Sequence, residues 1–390
     1  NANGTLDVKA NAREYVSQGI QSSFNTKFDL GKFKNDLTYG VRIHSDSEDR
    51  LQYSDTYNIS SNGAITFGSR SVIGGSASNN NIGKTTSYAT FIENEISFGK
   101  WLVVPGIRYE HIKMNKRNYD EEARTDIHSL ANSTQDVIIP GLGVSYSFND
   151  ENTVFGSVHK GFAPTMPSPD KQADAEESVN YEIGLRHRNK NSFFAETTAY
   201  IVDYSNLLGD DSASTGGGGT GDQFNGGEVL SYGLELATGY DFKGTLLNEP
   251  VKFPVRLSYT YNNTEFRSSF ETESDEWGTN VTKGDKMPYV SPHQLALSVG
   301  AEFEKFGLNV ATKYVDAMRT QAGTGSIPKN QKIPSHFVVD MVGHYKLQKN
   351  TTLFVAVDNL LNREYAVAAM PAGFRPGKPL AGRIGVIVDF

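Results

Sequence analysis

The stretch that decides the fold is LFVAVDNLLNREYAVAAMPAGFRPGKPLAGRIGVIVDF, residues 353–390. In its last ten residues Ile384, Val386, Val388 and Phe390 alternate with Arg383, Gly385 and Asp389, so an extended segment presents one apolar and one polar face. Such a strand fits a place against lipid. The rest of the chain decides between a membrane barrel and a soluble sandwich.

Composition narrows the choice. The 390 residues are 37% hydrophobic, 11% aromatic and 21% charged, with a mean hydropathy of -0.44. No run of eighteen apolar residues occurs, which excludes a transmembrane helix. A membrane barrel stays open, because its strands only alternate and leave the average hydropathy low. The 38 Gly, 19 Tyr and 22 Phe suit many strands with aromatic girdles, and the absence of Cys removes disulfides and thiolate metal sites. A net charge of -8 and a pI near 5.6 argue against a nucleic-acid partner. Residues 1–10 lack the charged and apolar regions of a signal peptide, which implies a processed chain or the later part of a longer one.

Period-two alternation predicts fifteen strands: 16–29, 33–48, 88–98, 101–113, 137–148, 152–160, 178–189, 192–204, 229–242, 251–265, 291–303, 306–317, 335–347, 351–358 and 381–390. Residues 1–13 are a candidate sixteenth. In 229–242, Leu230, Tyr232, Leu234, Leu236, Tyr240 and Phe242 oppose Ser231, Gly233, Glu235 and Asp241. The polar faces carry Glu182, Arg186, Arg188, Glu235 and Glu302, groups that are costly in a dry core and comfortable against a hydrated lumen.

Connection lengths point the same way. The links 30–32, 99–100, 149–151, 190–191, 304–305 and 348–350 are tight turns, and 243–250 in the same series is of medium length. Between them lie long links at 49–87, 114–136, 161–177, 205–228, 266–290, 318–334 and 359–380. An antiparallel barrel sorts its loops in this way when one rim faces the periplasm and the other the outside, and a sandwich has no reason to. The fold class expected is therefore all-β, an antiparallel transmembrane β-barrel.

Eight stretches resemble, in order, the barrel of TonB-dependent outer-membrane receptors, and within them the ferric-citrate (iron dicitrate) transporters. They are LTYGVRIHSDSEDR at 37–50, ATFIENEISFGKWLVVPGIRYEHI at 89–112, HKGFAPTMPSP at 159–169, ESVNYEIGLRHR at 177–188, FNGGEVLSYGLELATGYDF at 224–242, GDKMPYVSPHQLALSVGAEF at 284–303, VDNLLNREY at 357–365 and MPAGFRPGKP at 370–379. The resemblance implies a bacterial outer-membrane location and a barrel of 22 strands, of which about 15 lie in this chain. It also implies a plug domain and TonB-binding box, absent from this sequence. Residues 1–390 then form the C-terminal portion of a single barrel domain, and Phe390 resembles the terminal aromatic residue read during barrel assembly.

No catalytic constellation emerges, so no enzyme is expected. There is no G-x-S-x-G elbow, H-E-x-x-H or P-loop, and GGGG at 216–219 lies in a polar loop with no helix after it. The ligand implied by the resemblance is a ferric siderophore or ferric citrate, transported rather than held as a covalent cofactor. An anionic chelate calls for Arg or Lys forks and amide donors on the outer loops, and the candidates are Arg117, Arg124, Arg267, Arg319, Gln321, Lys329 and Arg375. The expected partners are the TonB complex, lipopolysaccharide and outer-membrane lipid. Acidic clusters at Asp170, Asp174, Glu176, Glu177 and at Glu271, Glu273, Asp275, Glu276 read as solvated rim charges open to bridging by divalent cations to lipopolysaccharide; the alternative is a cationic or neutral ligand. A haem receptor is one alternative, since GFAP at 161–164 resembles that branch. Residues 161–177 contain no His, which leaves His128 and His336 as axial candidates. A passive porin-like or adhesin barrel is the other.

Overall fold

The structure, a computed structural model, describes residues 4–72, 80–168, 173–189, 192–210, 223–246, 248–271, 277–278, 280–369 and 373–389. Its main sheet has 16 strands, fifteen on one up-and-down path and one on a side branch. The path runs Gly4–Leu30, Phe33–Ile59, Asn80–Phe98, Trp101–Tyr119, Ile127–Ser147, Asn152–Ala163, Glu176–Arg188, Phe194–Ser205, Val229–Leu246, Glu249–Phe266, His293–Glu302, Phe306–Val315, His336–Gln348, Thr351–Asp358 and Ala381–Val388. Each strand pairs antiparallel with its chain neighbour, and among the described residues the two edge strands do not pair with each other.

These are the fifteen strands expected, with two differences. Residues 4–13 do not form a sixteenth strand; they extend the first, a single strand of 27 residues. The sixteenth is Ile65–Val72, inside the expected long link 49–87, paired antiparallel with Tyr53–Ile59. The long links are shorter than the sequence implied because pairing continues past the alternating segments: Phe33–Ile59, Asn80–Phe98, Trp101–Tyr119 and Ile127–Ser147 each run beyond the strand that the alternation marked. In water both faces of a strand are polar, so the alternation fades while the backbone hydrogen bonds persist.

The opposite rim is tighter than expected. Strands Val229–Leu246 and Glu249–Phe266 extend until two residues separate them, so the medium link joins the short series. Gly31 and Gly99 turn with φ of 62° and 58°, a region where a Cβ is strained. Above these turns runs an aromatic belt in which Phe33 packs on Phe98, Trp101 on Tyr146 and Tyr240 on Phe242.

Register sorts the wall into two faces. Outward stand Tyr39, Ile92 and Ile107 in one cross-strand row and Leu308, Val355 and Ile384 among others, with Ile384 71% exposed. Inward stand charges, several of them paired: Arg108 with Glu110, Arg186 with Glu196, Arg256 with Asp241, and Arg383 with Asp358. Aromatic rings also lie across glycines on the next strand, Phe155 over Gly184 and Phe354 over Gly385, where a Cβ would meet the ring. Glycine on the inward face is thus required by close approach of a neighbouring ring.

Candidate functional site at the outer rim

The outer ends of the strands carry a second layer of structure. Val229 and Phe266 face each other in register at the mouth of one hairpin, both with no exposed surface. Leu207, Trp277 and Val281 close around them into a buried apolar cluster. Phe224, Phe266 and Phe270 surround the Trp277 ring with centroids 5.3, 5.8 and 5.9 Å away. The FNGGEVL stretch has a local reason: a Cβ on Gly226 would run into the Trp277 ring, and Gly227 turns with φ of 76°.

Backbone bonds knit further loops to this cluster. Ala322 donates to the Trp277 carbonyl at 2.8 Å, Lys286 to Gly323 at 3.0 Å and Tyr289 to Arg319 at 2.8 Å. From the other side, Met166 donates its amide to the Gln223 side chain at 2.7 Å and Asp174 to Asn225 at 2.8 Å. The Glu176 carboxylate accepts the Leu208 amide at 3.0 Å, and Glu177 pairs with Lys160 at 2.8 Å. These two acids therefore serve the fold rather than standing as free rim charges. Asp170, Glu273, Asp275, Glu276 and residues 216–219 lie outside the described residues, as does Phe390.

The last outer loop is pinned by Asn359, 1% exposed with φ of 50°. Its amide side chain donates to the carbonyls of Arg363 and Lys378, both at 2.9 Å, and accepts the Arg363 amide at 2.8 Å, while its own backbone donates to Asp340 at 2.7 Å. One Asn replaces several absent backbone partners, a local role that its short side chain and tolerance of positive φ favour. Tyr365 stacks on His336 at 4.6 Å. His336 is thereby taken up in packing, and His128 is held by Asp120 at 3.0 Å.

The seven cation and amide candidates separate into groups. Arg124 is consumed internally: it donates to Asn80 and Asp49, each at 2.7 Å, and to the Arg50 carbonyl at 2.9 Å, with its guanidinium over Tyr119. Arg319 is buried and bonded to the Gly325 carbonyl, and Gln321 accepts from Gln331 at 2.6 Å. Arg117 shares the outward face of its strand with Tyr109, away from the interior. Arg267, Lys329 and Arg375 are exposed on three different outer loops. Arg375 acts electrostatically on Tyr289, whose phenol is pushed up chiefly by burial while Arg375 and the Ala369 backbone hold it back. Sequence reading missed Tyr289, Trp277 and Asn359; the φ > 0 demanded of an Asn in DNLLN was the available signal.

Farther along the rim, Arg70 grips Asp55 with two hydrogen bonds of 2.7 and 2.9 Å and lies 3.8 Å from the Tyr53 ring. These bonds hold the Asp55 carboxyl below the usual carboxylate range. Among the described residues no group of three or more His, Asp or Glu is placed to hold a metal ion.

An up-and-down antiparallel wall, apolar outside and charge-paired inside, with one rim of tight turns and the other knitted into a cap, defines a capped transmembrane β-barrel. The chain belongs to the family described as TonB dependent receptor-like, beta-barrel, which it matches over residues 1–360. Members are receptors and transporters of metal or siderophore chelates rather than enzymes. A metal-pseudopaline receptor of Pseudomonas aeruginosa is 28% identical over 284 residues, 70% of this chain and 36% of the relative. Among solved structures, an unliganded ferric citrate transporter superposes with a TM-score of 0.73 at 20% identity over 98% of this chain and 55% of that one. A siderophore receptor from Acinetobacter baumannii gives a TM-score of 0.74 at 16% identity over 97% and 56%. The chain thus spans about a third of the curated relative and little more than half of the solved barrels.

Proposed function

We propose that this chain is the lipid-facing wall and outer cap of a bacterial outer-membrane receptor that takes up an anionic metal chelate, with TonB supplying the work through parts of the receptor beyond these residues. The observation that carries the reading is the division of charge on the cap. Arg124 and Arg319 are spent on internal bonds, while Arg267 and Lys329 are left exposed on loops tied to one apolar cluster and Arg375 on the last outer loop, which Asn359 pins. Exposed cations on a braced surface suit an anionic shell such as a polycarboxylate, with Gln321 and the phenol of Tyr289 as further donors. Ferric citrate is the ligand favoured by the sequence resemblance.

The test is growth of a strain lacking the full-length receptor and its redundant importers, supplied with ferric citrate as sole iron source. Loss of growth, restored by the wild-type gene and not by Arg375→Gln with Lys329→Gln, supports the reading. Unchanged growth rejects ferric citrate. A defect confined to a different metal chelate would keep the uptake class and reassign the ligand. Growth independent of TonB would reject the energy-coupled mechanism in favour of a passive barrel.

A further inference from the structure

One outer turn is built against the preference of its residue. Pro288 and Tyr289 make a turn on the outer rim, and Tyr289 has φ of 60°. The position after a turn-opening Pro takes such a φ readily when it holds Gly or Asn, whereas a bulky side chain there is strained. Neighbouring bonds hold the turn in place. The Tyr289 amide donates to the Arg319 carbonyl at 2.8 Å and the Met287 amide to Thr264 Oγ1 at 3.2 Å, while Lys286 and Gly323 form an isolated bridge. Arg319, itself buried and bonded to the Gly325 carbonyl, fixes the far side.

The strained backbone carries a side chain that neither Gly nor Asn could supply. The Tyr289 phenol meets the last outer loop, where the Ala369 backbone N–H donates toward its oxygen and the charge of Arg375 acts on it. Ala369 directly follows strand Ala366–Ala368, in which Ala368 pairs with Arg375. The phenol thus grips this loop one residue from the position opposite Arg375. The base of the loop is held separately. Tyr365 stacks on His336, its hydroxyl accepts the Lys378 amide at 3.2 Å, and its ring covers Gly377, where a Cβ would run into it.

We propose that Tyr289 is a positioning residue for chelate binding: its phenol clasps the last outer loop at Ala369 and holds Arg375 where an anionic group of the chelate meets it. The strain is retained because the residues that suit the turn are shorter by the whole ring and leave Ala369 unheld. This inference rests on the reading of Arg375 as a ligand contact proposed above.

The experiment uses the purified full-length receptor, with ferric citrate binding measured by titration calorimetry and loop opening by hydrogen exchange. Arg375→Gln should weaken binding about 10-fold, the worth of one charge-assisted hydrogen bond. Tyr289→Phe keeps the ring and the turn and removes only the oxygen. It should weaken binding nearly as much and speed exchange at residues 366–369. The double variant should bind little more weakly than either single one, because both remove the same contact. Tyr289→Asn separates positioning from stability: the turn relaxes and exchange at 286–289 slows, while affinity falls as in Tyr289→Phe. A purely structural role would move the two together. A Tyr289→Phe receptor that binds as tightly as wild type, or that leaves exchange at 366–369 unchanged, overturns the inference. Additive losses in the double variant also overturn it, marking Tyr289 as a separate donor. A wild-type receptor that binds no ferric citrate, or an Arg375→Gln receptor that binds it fully, instead rejects the reading of the ligand contact, and exchange at 366–369 in Tyr289→Phe then decides the clasp alone.

Discussion

The two tryptophans of the chain mark two regions built on opposite rules. Trp101 lies in the wall, 44% exposed, packed on Tyr146 with ring centroids 4.7 Å apart. Trp277 lies in the cap, 5% exposed, ringed by three phenylalanines. The wall turns its large apolar groups outward and holds together by ladders of backbone hydrogen bonds and inward ion pairs. In a membrane barrel lipid, not protein, covers such an apolar side. The cap sits in water and needs a conventional dry core, which it assembles from the outer ends of two strands and the loops around them. A side chain of one type therefore has opposite meaning in the two regions.

Substitutions can break this contrast in either region. Phe266→Ala empties the centre of the cap and should cost about 3–5 kcal/mol locally. Amides of residues 280–291 should lose protection from hydrogen exchange while those of the wall keep theirs. Equal loss in both regions would mean that cap and wall unfold as one unit. In the wall, Leu234→Arg places a cation on the outward face and should cost about 2–4 kcal/mol if it lies near the midplane, measured by denaturant unfolding in lipid. Tolerance of that change would reverse the assignment of faces. Asn359→Ala strands the amide of Arg363 and two carbonyls, at about 1–3 kcal/mol, and should raise proteolysis of the last outer loop without altering the sheet.

The smallest effect is one of pH. Asp55 is more acidic folded than unfolded because Arg70 binds its anion, so this pair stabilises fully above the unfolded carboxyl pKa of about 3.9 and its contribution is lost as pH falls through the lower folded value. Exchange protection of Ile65–Ser71 should stay flat from neutral pH to mildly acid conditions, then fall in strong acid, and Asp55→Asn should remove the pH dependence.

Legibility followed the same division. The fifteen strands could be read because lipid enforces strict alternation, and Leu234 against Glu235 or Ile384 against Gly385 carry that signal over adjacent residues. Past the lipid boundary the signal fails. Asp55, Thr56 and Asn58 alternate nothing, so the extension of Phe33–Ile59 and its partner Ile65–Val72 looked like loop. The cap was harder still, because Trp277 meets Gly226 and Ala322 across long sequence separations that no periodicity encodes. Charge type and place in an expected outer loop nominated Arg124 and Arg117 beside Arg375. Only the strand register and the hydrogen bonds separate an internal brace, an outward cation and an exposed one.

The most direct measurement is tryptophan quenching in the full-length receptor, reconstituted into vesicles with brominated acyl chains. Trp101 and Trp277 would each be isolated by replacing the other with Phe and comparing emission before and after its removal. The component lost with Trp101 should be strongly quenched by the brominated chains and the component lost with Trp277 should not. Quenching of Trp277 by lipid, or a Trp101 that lipid leaves bright while aqueous iodide quenches it, would contradict the division of this chain into a lipid-facing wall and a water-exposed cap.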